Sequence, residues 1–259
     1  MTIRHHLSDQ LLAAYAAGSL PEAFSLVVAT HVSLCDDCRA RAAAFDTLGG
    51  ALLEEADEIA LGEGALAKAL ERLDGLPQAT RSEPLRSVGI FPAPLADYVG
   101  GDLASVRWRR VGGGVKQAIL PTSRDASARL LFIPAGTAVP DHGHRGTELT
   151  LVLQGAFADA NDRFDRGDIE IADEEMEHTP VALAGQDCIC LAATDAPLRF
   201  RGLIPRLAQP LLRIWAPVPR RVVRAESGMK KIGIRFSASL TRPLTIEIGM
   251  MFPANIIPI

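Results

Sequence analysis

The sequence of 259 residues has no long apolar run, no secretory signal and little cysteine. No apolar stretch approaches the ~18 residues that a membrane-spanning helix requires. The first residues lack the basic region and the apolar core of a signal peptide. Hydrophobic residues at 48% and charged residues at 22% are ordinary for a globular protein. We therefore expect a cytoplasmic protein that does not use the membrane as a partner.

The cysteines number four and form two close pairs, Cys35 with Cys38 and Cys188 with Cys190. Such a small number does not resemble the disulfide framework of a small secreted protein. In a cytosolic chain, close pairs of cysteines indicate metal binding or redox chemistry. The two pairs therefore define two places where chemistry is expected.

Charge is unevenly distributed along the chain. Residues 1–85 carry 6 Lys and Arg against 13 Asp and Glu, whereas residues 217–259 carry 7 against 2. An acidic segment repels the phosphates of nucleic acids and suits a basic protein partner. We expect no direct binding of nucleic acid by the first segment. Acidic helices that are merely solvated would explain its charge equally well.

The chain divides into four segments by composition and periodicity. Residues 1–75 show helical periodicity, with Ser8 as a natural N-cap, and predict a small four-helix domain, to which the cysteine spacing described below adds zinc. Residues 76–95 contain four prolines and predict a linker. Residues 96–205 contain short apolar runs between turn residues, which indicate an antiparallel β-sandwich or barrel. Residues 206–259 form a tail of uncertain structure. The fold class expected is multidomain α + β.

The spacing of His31, Cys35 and Cys38 is typical of a metal site. On one continuous helix the three side chains would share a face; with a turn before Cys35, the Cys-x2-Cys step would wrap around the metal. Either geometry supplies three of the four ligands of tetrahedral Zn²⁺, and thiolates favour zinc over calcium or magnesium. His5 and His6 are the candidates for the fourth ligand. The alternative is a plain thiol pair beside a surface histidine.

A second constellation lies between Gly136 and Gly155. His142 and His144 are two residues apart, so on a strand they face the same side, and Glu148 opens the next apolar run. The spacing Gly-x5-His-x-His-x3-Glu-x6-Gly matches the first motif of the cupin family. This predicts a divalent metal in the barrel, for which we favour zinc, although iron, manganese, nickel and copper fit the same ligands. Barrel polar residues without a metal are the alternative.

The second cupin motif is matched only in part. Gly167 and His178 keep its frame, and the resemblance therefore implies His178 as the fourth ligand of the barrel metal. Asp173, Glu175 and Ala182 stand where the motif has proline, glycine and asparagine, so the turn before the histidine must be built differently. Many cupins are dioxygenases or isomerases, but this sequence offers no clear proton-transfer group, and we assign no catalytic residue.

Cys188 and Cys190 are also two residues apart, and strand alternation places both on one face. Cysteine is among the most buried residue types, so both could be ordinary core residues. The functional alternative is an oxidant-sensitive pair facing the barrel interior. The sequence does not decide between the two.

The N-terminal pattern, a histidine and His-x3-Cys-x2-Cys with 24 residues between them, resembles the zinc-binding anti-sigma domains. The resemblance implies His6, His31, Cys35 and Cys38 as zinc ligands. Together with the cupin motif, it extends to the ChrR-type anti-sigma factors. These are regulators, not enzymes, that sequester a group IV (ECF) sigma factor in a 1:1 complex and release it through the cupin domain under singlet oxygen stress. The alternatives are a cupin oxygenase or isomerase with a zinc-binding docking domain, and a redox-switched zinc chaperone.

Overall fold

The computed structural model describes six stretches of the chain, residues 2–74, 89–139, 142–143, 146–173, 177–196 and 199–200. The described residues all belong to one compact unit. The tail predicted over 206–259 and most of the predicted linker lie outside them. No helix in the described part of the chain is both long and apolar enough to span a membrane.

The described residues contain five α-helices, which are α1 (Asp9–Ala16), α2 (Glu22–Leu34), α3 (Asp36–Glu54), α4 (Ala65–Asp74) and α5 (Ala93–Val99). Ser8 caps α1 as predicted, because its side chain accepts a hydrogen bond from the backbone N–H of Leu11 at 3.3 Å. The fifth helix is a departure from the predicted four. It begins after Pro92 in the segment predicted to be a linker, since proline suits the first turn of a helix.

Antiparallel pairing connects all the strands among the described residues. They are β1 (Arg109–Gly112), β2 (Val115–Leu120), β3 (Ser127–Ile133), β4 (His142–Gly143), β5 (Glu148–Gln154), β6 (Ala156–Ala158), β7 (Arg163–Asp165), β8 (Ile169–Ala172), β9 (Glu177–His178), β10 (Val181–Ala182), β11 (Cys188–Thr194) and β12 (Arg199–Phe200). One six-stranded sheet has the order β1-β2-β3-β11-β5-β8, and two three-stranded sheets have the orders β10-β6-β7 and β12-β4-β9. Helices followed by an antiparallel cupin-like β domain agree with the predicted class.

The central strands of the six-stranded sheet are buried on both faces. Leu130, Leu191 and Leu151 lie side by side across its three central strands, and all three are fully buried. They belong to the same apolar cluster as Phe24 and Val27 of α2, which packs against β3, β5 and β11. The alternate positions of the same strands face the opposite side, which is the barrel interior. The helices and the barrel therefore share one hydrophobic core.

The last residues of the predicted linker also enter this core. Phe91 and Leu95 are fully buried in the cluster that joins the helices to the sheet. Asp102 fixes the approach to α5, because its carboxylate accepts hydrogen bonds from the backbone N–H groups of Ile90 and Phe91 at 2.9 and 3.1 Å. From Gly89 onward the chain is thus packed structure, and the expectation of a linker does not extend to these residues.

Candidate metal centre

Four side chains predicted as zinc ligands come together at the junction of α2 and α3. The ligand atoms of His6, His31, Cys35 and Cys38 all lie within 4.8 Å of one another and could hold a metal ion. Nδ1 of His6 is 3.3 Å from Sγ of Cys35 and 3.6 Å from Sγ of Cys38. His6 comes from the segment before α1, so a metal here would tie that segment to both helices.

The two cysteines are arranged by a break between the helices. Cys35 ends α2 and caps α3 in an extended conformation (φ −109°, ψ 109°). The backbone N–H of Cys38, in the first turn of α3, donates to Sγ of Cys35 at 3.5 Å. Of the two geometries considered above, the chain has the one with a turn, in which the Cys-x2-Cys step wraps around a common point.

The buried histidine of this cluster has the tautomer that a metal ligand needs. His31 is fully buried, and its Nδ1–H donates to the carbonyl oxygen of Gly167 at 3.0 Å. Its Nε2 is buried and has no hydrogen-bond partner among the described residues. Burial is the main reason that the pKa of His31 falls to about 4, so the ring is neutral at physiological pH. A neutral imidazole that donates through one nitrogen and presents the other is the usual form of a metal-bound histidine.

The two thiols complete the set of candidate ligands. Burial raises the pKa of Cys38 to about 11 in the absence of a cation, so a divalent ion would have to displace its proton. Arg41 lies beside this thiol, with Nη1 at 4.0 Å from its Sγ, and donates to the carboxylate of Asp9 on α1. Two sulfurs and two imidazole nitrogens around one point form a donor set that suits tetrahedral zinc.

His5 lies outside the cluster. Its Nε2 is 2.9 Å from Oδ2 of Asp162, and its ring lies against Phe164 with 4.4 Å between the centroids. The structure therefore brings His6, and not its neighbour, to the thiols. The sequence left these two histidines as alternatives.

The described residues include only part of the barrel site predicted from the cupin motif. His142 on β4 and His178 on β9 are directly opposite each other in register, although only their backbone is described. His144 lies outside the described residues. Glu148 opens β5, is partly buried and accepts a hydrogen bond from Oγ1 of Thr150 at 3.2 Å. A metal held by these four residues stays a prediction.

The second cysteine pair lies in the barrel interior. Cys188 and Cys190 are free thiols, both buried, with 3.5 Å between their sulfur atoms. They pack in an apolar cluster with Val152, Phe157 and Phe164, on the face of the sheet opposite to α2. The hydrogen bond between the two thiols, followed by burial and the charges of Cys188, Glu170 and Glu148, raises the pKa of Cys190. Cys190 is thus protonated in the resting protein.

The residues that support the histidines were not found from the sequence in this role. The cupin motif includes Gly167, and Asp168 opens a short β-type run, but neither pattern gives these residues a role at the metal cluster. Both lie between β7 and β8; Asp168 contacts the backbone of Arg4 and His5, and Gly167 contacts His31, 136 residues away. No local pattern in the sequence signals a contact of this kind.

Exposed apolar side chains are frequent along the later part of α3, along α4 and in the residues between them. More than a third of each residue's surface is accessible; the residues are Leu48, Leu52, Leu53, Ile59, Leu61, Leu66, Leu70 and Leu73. Single exposed leucines are ordinary, but a concentration of them in one segment is typical of a binding surface.

Comparison with known proteins gives consistent matches along most of the chain. Residues 97–197 match the ChrR cupin-like domain family. The anti-sigma-E factor ChrR of Cereibacter sphaeroides is 67% identical over 215 residues, which span 83% of this chain and all of that protein. The crystal structure of Rhodobacter sphaeroides SigE in complex with the anti-sigma ChrR contains a chain that is 65% identical. That match covers 75% of this chain and 100% of the other, with a TM-score of 0.67.

Proposed function

Because the chain belongs to the ChrR family of anti-sigma factors, we propose that it binds an ECF sigma factor one-to-one and keeps it from RNA polymerase. The observation that carries this proposal is the His2Cys2 cluster at the junction of α2 and α3, in a chain of this family. The activity is regulatory, and no residue is assigned a catalytic role. The acidic balance of residues 1–85 suits a protein partner better than nucleic acid.

The ion proposed for the N-terminal cluster is Zn²⁺, held by His6, His31, Cys35 and Cys38. When bound, zinc supplies four coordinate bonds that join the first segment, the end of α2 and the start of α3. Since the free energy of metal binding becomes free energy of folding, the ion would fix the mutual orientation of these elements. The buried, unpaired Nε2 of His31 and the closely placed thiols support this assignment.

The surface proposed for the sigma factor comprises helices α1 to α4, with the exposed leucines of α3 and α4 at its centre. Leu53 and Leu66 are 76% and 71% exposed, although leucine gains from burial. Covering these leucines with a partner would supply hydrophobic binding free energy, and the acidic residues around them would favour a basic partner.

The barrel is proposed to convey a stress signal. A second divalent metal, for which zinc is favoured, would be held by His142, His144, Glu148 and His178. Its part would be to release the sigma factor under singlet oxygen or a related oxidative stress. The buried thiols of Cys188 and Cys190 form a possible oxidation site in the same interior. Free thiols throughout the described chain also fit the proposed location in the reducing cytoplasm.

Two sets of substitutions would separate these roles. Cys35→Ser with Cys38→Ser should abolish co-purification with the ECF sigma factor of the host and should restore transcription in vitro. His142→Ala with Glu148→Ala should leave inhibition intact and should impair only the response to singlet oxygen. If the first variant still inhibits transcription, the proposed role of the N-terminal metal is wrong. If the second loses sigma binding, the proposed division of roles is wrong.

A further inference from the structure

The turn between β7 and β8 is the place where the barrel contacts the N-terminal segment. The side chain of Asp168 is only 1% exposed. Its Oδ1 accepts hydrogen bonds from the backbone N–H groups of Arg4 at 2.6 Å and His5 at 3.0 Å, while Oδ2 accepts one from Asp165 at 2.9 Å. The backbone N–H of Ile169 donates back to the carbonyl oxygen of His5 at 3.4 Å. One buried carboxylate thus holds the two residues that directly precede His6.

The neighbouring residue, Gly167, holds the other imidazole. Its carbonyl oxygen accepts the Nδ1–H of His31, and its own N–H donates to the carbonyl oxygen of Val152 on β5 at 2.8 Å. Its φ of +90° lies in the left-handed region, and an added Cβ would lie 2.7 Å from Cδ1 of Ile3. Only glycine fits this position without strain, because an L side chain rarely adopts this φ and an added Cβ would displace the side chain of Ile3.

The charge of Asp168 suits the task of holding backbone N–H groups. Burial disfavours its ionised form and is the largest single effect on its pKa. The hydrogen bonds from Arg4, Asp165 and His5 together outweigh it and hold the pKa of Asp168 below its ordinary value. A carboxylate that accepts several backbone N–H groups makes stronger bonds than a neutral acceptor would.

We propose that Asp168 is a positioning residue of the metal centre, which fixes His6 at the thiols by holding the backbone of the two preceding residues. With Gly167 holding the ring of His31, the barrel turn supports both imidazole ligands, and the metal affinity depends on the barrel as well as on the helices. This inference rests on the proposed zinc site. The preceding strand carries Phe164, which contacts His5 and packs in the apolar cluster of Cys188 and Cys190. The turn therefore lies between the barrel interior and the ligand segment.

The test uses the full chain with Co²⁺ as a spectroscopic probe in place of zinc. His142→Ala with Glu148→Ala is the background, so that the barrel site does not take up the probe. The thiolate-to-cobalt charge-transfer band reports occupancy of the Cys35 and Cys38 site, and the d–d bands report whether the ligand set is S2N2. The variants are Asp168→Ala and Asp168→Asn. Neither measurement requires the sigma factor.

Asp168→Ala should weaken cobalt binding by about 10- to 100-fold, the usual effect of losing an outer-shell partner. Its d–d bands should lose intensity as water replaces His6. Asp168→Asn keeps an acceptor for Arg4 and His5 and should give an intermediate loss. The matched control is Asp162→Asn, because Asp162 contacts the side chain of His5 and not the backbone. The control should keep the affinity and the spectrum of the background.

The proposal is overturned if Asp168→Ala binds cobalt with the affinity and the spectrum of the background protein and has the same thermal unfolding midpoint. An equal loss of cobalt affinity in Asp162→Asn would also overturn it, since this would show that any loss of negative charge near the N-terminal segment weakens the site. If Asp168→Ala does not fold, the intermediate affinity expected of Asp168→Asn decides the matter, and wild-type affinity there refutes the proposal. Failure of the background protein itself to bind cobalt through its thiols would instead refute the proposed zinc site.

Discussion

Replacing Leu191 with alanine should destabilise the helices and the barrel together. Leu191 is in the centre of β11, is fully buried and lies in register between Leu130 and Leu151. This row of leucines belongs to the apolar cluster that includes α2. A cavity at this position removes contacts both from the helices and from the sheet. The two layers should therefore lose stability together.

The size of the effect follows from the burial of the side chain. Leucine-to-alanine changes at fully buried sites cost about 2–5 kcal/mol, because transfer and cavity terms add. In a domain of roughly 200 residues, 1 kcal/mol lowers the melting temperature by about 2–4 °C, so a fall of roughly 4–20 °C is expected. Leu53→Ala is the matched control, since Leu53 is 76% exposed and its loss should change stability by less than about 0.5 kcal/mol.

Guanidinium unfolding of the zinc-loaded protein provides the assay. Far-ultraviolet circular dichroism follows both the helices and the barrel strands, and the absorption of a cobalt-substituted sample follows the metal centre. In Leu191→Ala both transitions should move to lower denaturant concentration by the same amount. If the barrel strands unfold earlier while the metal centre keeps its original midpoint, the two layers are independent and the shared-core argument fails.

Three further predictions concern the metal centre, the barrel turn and the binding surface. Between about pH 6.5 and pH 4 the unfolded chain protonates His31 while the folded chain does not, so the metal-free protein should lose up to ~3 kcal/mol of unfolding free energy as the pH falls through this window. Denaturation at a series of pH values should show this slope, and His31→Gln should reduce it. Gly167→Ala should cost more stability than Gly18→Ala in the same assay, because both have positive φ but only Gly167 lacks room for a Cβ. Leu66→Ala with Leu70→Ala should leave unfolding unchanged and weaken sigma binding about tenfold or more in calorimetric titration; unchanged affinity would exclude α4 from the interface.

Local features of the fold were predictable because they depend on short-range physical chemistry. The cap at Ser8 and the apolar spacing located α1, and the Cys-x2-Cys spacing located the metal cluster. Alternation along β11 correctly placed Cys188 and Cys190 on one face. Each of these inferences required only a few neighbouring residues.

The packing of the helices on the barrel was not predicted, although one signal was present. The strand β11 is apolar at nearly every position and is buried throughout, whereas a strand with one solvated face would alternate. Such a run indicates that another layer covers the outer face of the sheet. Phe91, among prolines, was a second sign that the presumed linker is packed. The support of His31 by Gly167 could not be predicted, because the two are 136 residues apart in the chain.

The most direct test of the proposed function is titration of the full chain with the ECF sigma factor of its host, before and after removal of zinc by a chelator. The zinc-loaded protein should bind one sigma factor per chain, and the stripped protein should lose most of that affinity and recover it when zinc is restored. Equal affinity in both states, with the metal shown to be absent, would contradict the view that a metal held by His6, His31, Cys35 and Cys38 organises the sigma-binding surface.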